Sequence, residues 1–107
     1  MAKVVDALIR SRRIGGCVVS PPKLKVEVND MIKFYANDTQ ATVLIPHQNL
    51  ANTQVLNIPL NGNATINITG GTEGEEYEYA IYGFNCKKVM GRGRFAKGCS
   101  PPKIIIG

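Results

Sequence analysis

Apolar and polar side chains alternate with a period of two along most of this 107-residue chain, and that pattern constrains the fold more than any other feature. Leu24, Val26 and Val28 alternate with Lys23, Lys25 and Glu27; Ile32, Phe34 and Ala36 alternate with Lys33 and Tyr35. Ile66 and Ile68 alternate with Thr65, Asn67 and Thr69, and Tyr77, Tyr79 and Ile81 with Glu76, Glu78 and Ala80. Successive side chains of a strand point to opposite faces, so each run reads as a strand with one buried face. Residues 41–45 are dense in β-branched side chains and are halted by Pro46, residues 55–58 form a short strand, and 103–106 is a final apolar one. Turn residues separate these runs at Asn29-Asp30, Asn37-Asp38, 59–63 and 70–74. About seven or eight short strands, with no amphipathic helix between them, predict an all-β Greek-key sandwich and argue against a parallel βαβ sheet.

Residues 1–16 stand apart as an N-terminal arm or short helix ahead of a sandwich domain at 17–107. Val4, Val5, Leu8 and Ile9 fall at helical spacing, and Arg10, Arg12 and Arg13 follow. This is the pattern of a basic amphipathic helix suited to a membrane surface or a partner. An edge strand or a frayed arm fits the same residues, because an isolated helix of about 12 residues is marginal in water. The start is a poor secretory signal, since Asp6 breaks its apolar stretch and the arginines follow that stretch. A native start implies the cytoplasm, and a removed leader an extracytoplasmic location. No apolar run approaches the roughly 20 residues of a membrane-spanning helix. Ser20-Pro21-Pro22-Lys23 recurs as Ser100-Pro101-Pro102-Lys103, each directly before an apolar strand. Paired prolines fix an extended, kinked lead into a strand at a sheet edge.

The hydrophobic fraction of 44% and charged fraction of 20% are those of a globular chain with one core. The net charge of +5 is unevenly spread. Residues 26–82 carry Lys33 against seven acids, a net of −6, while the flanks carry twelve bases against Asp6, a net of +11. If the flanks meet in space, one face is basic and another acidic, which suits an anionic partner or head-to-tail self-association. Solvated charge that keeps the chain soluble explains the same residues more simply. Cys17, Cys86 and Cys99 match neither a zinc knuckle nor a redox CxxC spacing. Buried thiols, or a Cys86–Cys99 bridge across the late loop, account for them.

Residues 24–34 followed by Asn37-Asp38 resemble the cupredoxin stretch in which two strands and a tight turn lead to an Asn and the first copper histidine. Residues 74–82 resemble the strand that delivers the copper-binding cysteine, and 98–106 the closing strand. The resemblance covers roughly residues 17–106 and implies a plastocyanin- or azurin-type sandwich. In that family two His, one Cys and a weak axial Met hold type 1 copper. The first histidine belongs near Ala41-Thr42 and the cysteine just after Tyr82, where Gly83 stands; residues 84–98 hold no histidine. Met90 alone corresponds to the axial ligand. With His47 the single histidine of the chain, a two-His site cannot form within one subunit.

Three sets of residues remain as candidates. His47 with Cys86 or Cys99 would make a thiolate–imidazole site for Cu(I) or zinc, or a Cys–His nucleophilic pair, and an ordinary surface histidine is the simpler account. Glu73, Glu75, Glu76 and Glu78 would attract a cation, although strand alternation already puts Glu76 and Glu78 in solvent. Lys87, Lys88, Arg92, Arg94 and Lys97, with Phe84 and Phe95 at the ends of their segment and glycines between, have the composition of a phosphate- or nucleic-acid-contacting loop. Three Asn-x-Thr sequons at Asn37, Asn63 and Asn67 matter only to a secreted eukaryotic chain. The expectation is a non-enzymatic, copper-free cupredoxin-like domain of unknown protein or anionic partner, without cofactor. Its contact surfaces would be Lys87, Lys88, Arg92, Arg94, Phe95 and Lys97 together with the N-terminal arm. Metal or redox carriage through Cys86, Cys99 and His47 is the alternative, and homo-oligomers or nucleic acid are compatible with the charge.

Overall fold

The computed structural model of the protein describes residues 3–11, 17–83, 94–95 and 102–107. Every regular element among them is a strand: β1 (Val4–Ser11), β2 (Cys17–Ser20), β3 (Lys23–Val26), β4 (Met31–Asn37), β5 (Ala41–Leu44), β6 (Val55–Ile58), β7 (Asn63–Asn67), β8 (Glu76–Glu78), β9 (Ala80–Gly83), β10 (Arg94–Phe95) and β11 (Lys103–Ile106). They make three sheets, ordered β2-β1-β4-β7, β10-β9-β5-β6 and β3-β11-β8. The expected all-β class holds. No helix is long and apolar enough to cross a membrane among the described residues.

The N-terminal segment corrects both the helical and the edge-strand expectation. β1 lies between β2 and β4, parallel to β4 in a register running from Val4↔Met31 to Arg10↔Asn37. Ala7 and Ile9 are buried and Val5 packs against the core, while Val4 and Leu8 remain 50% and 37% exposed. Two exposed apolar residues on the outer face gave this strand its helical spacing. The β4 ladder pairs its backbone from Val4 to Arg10 and the β2 ladder pairs Leu8 to Ser11 on the other side, an anchorage that a lone helix of about 12 residues lacks.

Tyr79 interrupts the long alternating run at 76–82. Its N–H donates to the Pro102 carbonyl at 3.1 Å, beside β11, whereas the next residue, Ala80, pairs with Leu44 of β5. One residue therefore carries the chain from the β3-β11-β8 sheet into the β10-β9-β5-β6 sheet. The repeated Ser-Pro-Pro-Lys has a related geometry. Lys23 and Lys103 are Cα partners in the parallel β3–β11 ladder, followed by Leu24↔Ile104 and Val26↔Ile106. The Lys103 N–H donates to the Pro22 carbonyl at 2.9 Å. β3 is an edge strand as expected, but β11 is central.

Two local expectations change. β3 ends at Val26, so Val28 sits in a turn at 40% exposure instead of on the buried face. Asn29 there has φ 84°, and the Asp30 N–H donates to the Glu27 carbonyl at 3.0 Å. The polar loop 46–54 contains a core residue, Leu50, which is 1% exposed. Thr69 N–H donates to the Leu50 carbonyl at 2.9 Å; Asn52 N–H donates to the Asn67 carbonyl at 3.0 Å, and Asn67 N–H returns to Asn52 Oδ1 at 2.9 Å. The two bonds between Asn52 and Asn67 satisfy the end of β7 on the edge that faces away from β4, and the Thr69 bond continues them beyond the strand.

Inward side chains of all three sheets join one hydrophobic core. Ile32, Phe34 and Ile66 come from the first sheet, Val43, Ile58 and Ile81 from the second, and Leu24, Ile104 and Ile106 from the third. Each such burial contributes roughly 1.5–3 kcal/mol. Phe34 meets Tyr79 edge-on, with ring centroids 6.0 Å apart at 69°.

Candidate functional site

His47 follows Pro46 at the end of β5, and its place in the ladder explains its contacts. Strand β5 pairs with β9 as far as Leu44↔Ala80, so the next hydrogen-bonded position would oppose residue 46 to Glu78. The Ile45 N–H turns the other way, to the Gln54 carbonyl at 2.9 Å, and residue 46 would therefore face β8. Proline has no N–H to give. His47 Nε2 lies 2.7 Å from the Glu78 carbonyl instead. Because a carbonyl only accepts, the Nε2–H is the donor. The ring meets Tyr77 edge-on at 5.2 Å and 73°, and the Tyr77 hydroxyl accepts the Thr72 N–H at 2.9 Å. The single histidine is thus built into the strand junction.

Of the acids, Glu76 pairs with Lys103 Nζ at 3.2 Å, and Glu73, Glu75 and Glu78 are exposed. No group of three or more His, Cys, Asp or Glu side chains suited to a metal occurs among the described residues. Cys86, Cys99, Met90, Lys87, Lys88, Arg92 and Lys97 lie outside the described residues. Arg94 and Phe95 form β10, in register with Gly83 and Tyr82 of β9. The segment 84–93 therefore joins two paired residues, as 12–16 joins the paired Ser11 and Cys17. Both connections start at the end of the molecule where β4 finishes, since Arg10 opposes Asn37 and Gly83 opposes Ala41. Glu27, Glu73 and Glu75 belong to turns at the other end, where Gly74 N–H donates to the Ile106 carbonyl at 2.7 Å.

An open cavity of about 350 Å³ lies at the first of these ends, lined by Leu8, Tyr35, Asn37, Asn61, Gly62 and Asn63. It sits where the outer face of the first sheet meets the β4–β5 and β6–β7 turns. Those turns are tied together: Ala36 N–H donates to the Gly62 carbonyl at 2.9 Å, and Asp38 N–H to Asn61 Oδ1 at 2.7 Å. Leu8, Tyr35 and Asn63 are neighbours across three strands, and Lys33 Nζ lies over the Tyr35 ring, 5.3 Å from its centroid. The sequence singled out Leu8 as part of a candidate contact arm and Asn37 and Asn63 as sequons, but it gave no sign that these residues share a cavity. The available signal was Tyr35, an aromatic on the polar face of its strand.

No protein-family model matches this chain, and no curated protein matches its sequence.

Proposed function

We propose that the chain is a non-enzymatic binding domain with a cupredoxin-like Greek-key sandwich, free of type 1 copper, that takes an anionic partner on the basic segment 84–98. One observation carries this reading. Ala41 and Gly83 are Cα partners across the β5–β9 ladder. These are the positions at which the resemblance puts the first copper histidine and the cysteine, and neither residue has a metal-binding side chain. The basic segment starts from the same pair. Further support comes from the single core shared by the β2-β1-β4-β7 sheet and the two sheets joined through Tyr79. Val4–Ser11 drops out as a free contact arm, because its backbone is committed to β2 and β4.

Two measurements test the proposal. Protein purified without chelators is expected to be colourless and to contain no stoichiometric copper; bound metal that disappears in His47→Ala would favour the carrier built on Cys86, Cys99 and His47. On immobilised heparin, a polyanion, Arg92→Ala combined with Arg94→Ala is expected to elute at lower salt with little change in Tm. Unchanged elution would remove the segment as the contact surface.

A further inference from the structure

The cavity beside Tyr35 has a chemical character of its own, separate from the segment 84–98. Its lining is uncharged. One aromatic ring and one aliphatic side chain, Tyr35 and Leu8, are joined by the carboxamides of Asn37, Asn61 and Asn63. A carboxamide offers both a donor and an acceptor. Asn61 spends its oxygen on the Asp38 N–H, which leaves its two amide hydrogens for a ligand. Asn37 and Asn63 make no side-chain hydrogen bond among the described residues.

The charges lie around this lining instead of within it. Arg10 is exposed and stands opposite Asn37 in the β1–β4 register, one strand spacing away. Lys33 occupies one side of the Tyr35 ring. Asp38, the acid of the adjoining turn, does not line the cavity. An aromatic side chain in the lining, amides beside it and an exposed arginine on the adjacent strand match a ligand with a planar, edge-polar ring and an attached anion. Stacking on an aromatic, hydrogen bonding of the ring edge by Asn, and phosphate contact by Arg are the three elements of nucleobase recognition outside a duplex. The hydrogen bonds between the two turns hold the amides in place before a ligand arrives, which reduces the ordering cost of binding.

We propose that this cavity is a nucleobase-stacking subsite, in which the base stacks on the Tyr35 ring, Asn37, Asn61 and Asn63 contact the base edge, and Arg10 contacts the attached phosphate. A free nucleotide and a single-stranded nucleic acid present the same chemistry. The site does not depend on the segment 84–98, so it stands or falls separately from the binding surface proposed above.

The test uses a fluorescently labelled deoxyadenosine oligonucleotide of about ten residues, sized to a single-strand site, followed by anisotropy. The wild-type chain is expected to bind it with an affinity that falls as salt rises. Tyr35→Ala should weaken binding about 5- to 150-fold, and Tyr35→Phe, which keeps the stacking face, should bind nearly as well as wild type. Asn63→Ala, on an exposed position, gives a second lesion that leaves the core untouched, and it too should weaken binding. Competition by AMP as well as by unlabelled oligonucleotide would support a free nucleotide as the source; competition by the oligonucleotide alone would support a single strand. Absence of wild-type binding overturns the proposal. So does unchanged affinity in both Tyr35→Ala and Asn63→Ala, or Tyr35-dependent binding of maltohexaose in place of the oligonucleotide. Loss confined to the Arg92→Ala, Arg94→Ala variant also overturns it, while leaving the polyanion surface intact.

Discussion

His47 Nε2 donates to the Glu78 carbonyl at 2.7 Å, at the ladder position where Pro46 has no N–H to offer. A side chain completes a backbone ladder that proline interrupts. Removing it in His47→Ala should cost about 1 kcal/mol, the net worth of one hydrogen bond, together with the edge contact to Tyr77. Chemical denaturation of the variant at pH 7 checks this, and an unchanged midpoint would contradict it.

Asp30 joins three elements. It is 2% exposed; its Oδ2 accepts the Glu27 N–H at 2.9 Å and its Oδ1 the Lys3 N–H at 3.1 Å, while its own carbonyl accepts the Ile68 N–H at 2.8 Å. The two backbone donors, Glu27 first and Lys3 second, hold its carboxyl below the ordinary carboxylate range, and Lys3 adds a smaller charge effect. With the folded value lowered, the stabilisation is present above the unfolded carboxylate range, near pH 4. It is lost as pH falls through the folded value. Asp30→Asn keeps the shape but presents an amide donor to one of the two N–H groups. It should lower Tm by roughly 5–10 °C at pH 7 and lose less than wild type on acidification below pH 4. Melting curves between pH 2 and pH 7 decide this; parallel acid limbs would assign the acid sensitivity to other groups.

What the sequence disclosed followed from how differently the two faces of each strand are made. β3, β4 and β7 pair apolar inner positions with Lys, Tyr, Asn or Thr outside, so their period was plain. β1 exposes Val4 and Leu8 on its outer face, and with both faces apolar the period of two was masked by a helical spacing. Leu50 is a single apolar residue among polar neighbours and has no period to show, although it is part of the core. The candidate sites were less legible because they depend on long-range pairing. His47 meets a carbonyl 31 positions away, and Tyr35, Leu8 and Asn63 become neighbours through strand order alone.

Tyr79 buries its hydroxyl at the junction of β8 and β9, against Phe34, with no hydrogen-bond partner among the described residues. An unsatisfied buried polar group costs about 1–3 kcal/mol, so Tyr79→Phe should be neutral or stabilising by about 1 kcal/mol at pH 7. Burial also pushes the phenol well above its ordinary value of 10. Below pH 10 both states are protonated and the effect is constant. Above it the unfolded chain ionises and the folded one does not, so stability falls as pH rises. Tyr79→Phe should flatten that alkaline limb. Urea titrations at pH 7 and pH 11 test the pair of expectations, and a loss of more than about 1 kcal/mol at pH 7 would show that the hydroxyl has a partner.

Gly70 and Gly74 separate steric from conformational cost within one turn. A Cβ on Gly70 would run into the Asn49 carbonyl oxygen, backbone that Leu50 holds in place through its bonds to Thr69 and Gly70. Gly74 has φ 89° but open space around the corresponding position. Gly74→Ala should therefore cost about 1–2 kcal/mol, the price of a left-handed conformation alone. Gly70→Ala must displace the loop that carries Leu50, and its cost should approach that of a disrupted core contact, about 2–5 kcal/mol. Leu50→Ala provides the internal comparison: if the Gly70 lesion acts by lifting the loop, the double variant should lose clearly less than the sum of the two single losses. Full additivity in denaturant titrations would separate the glycine from the Leu50 anchor.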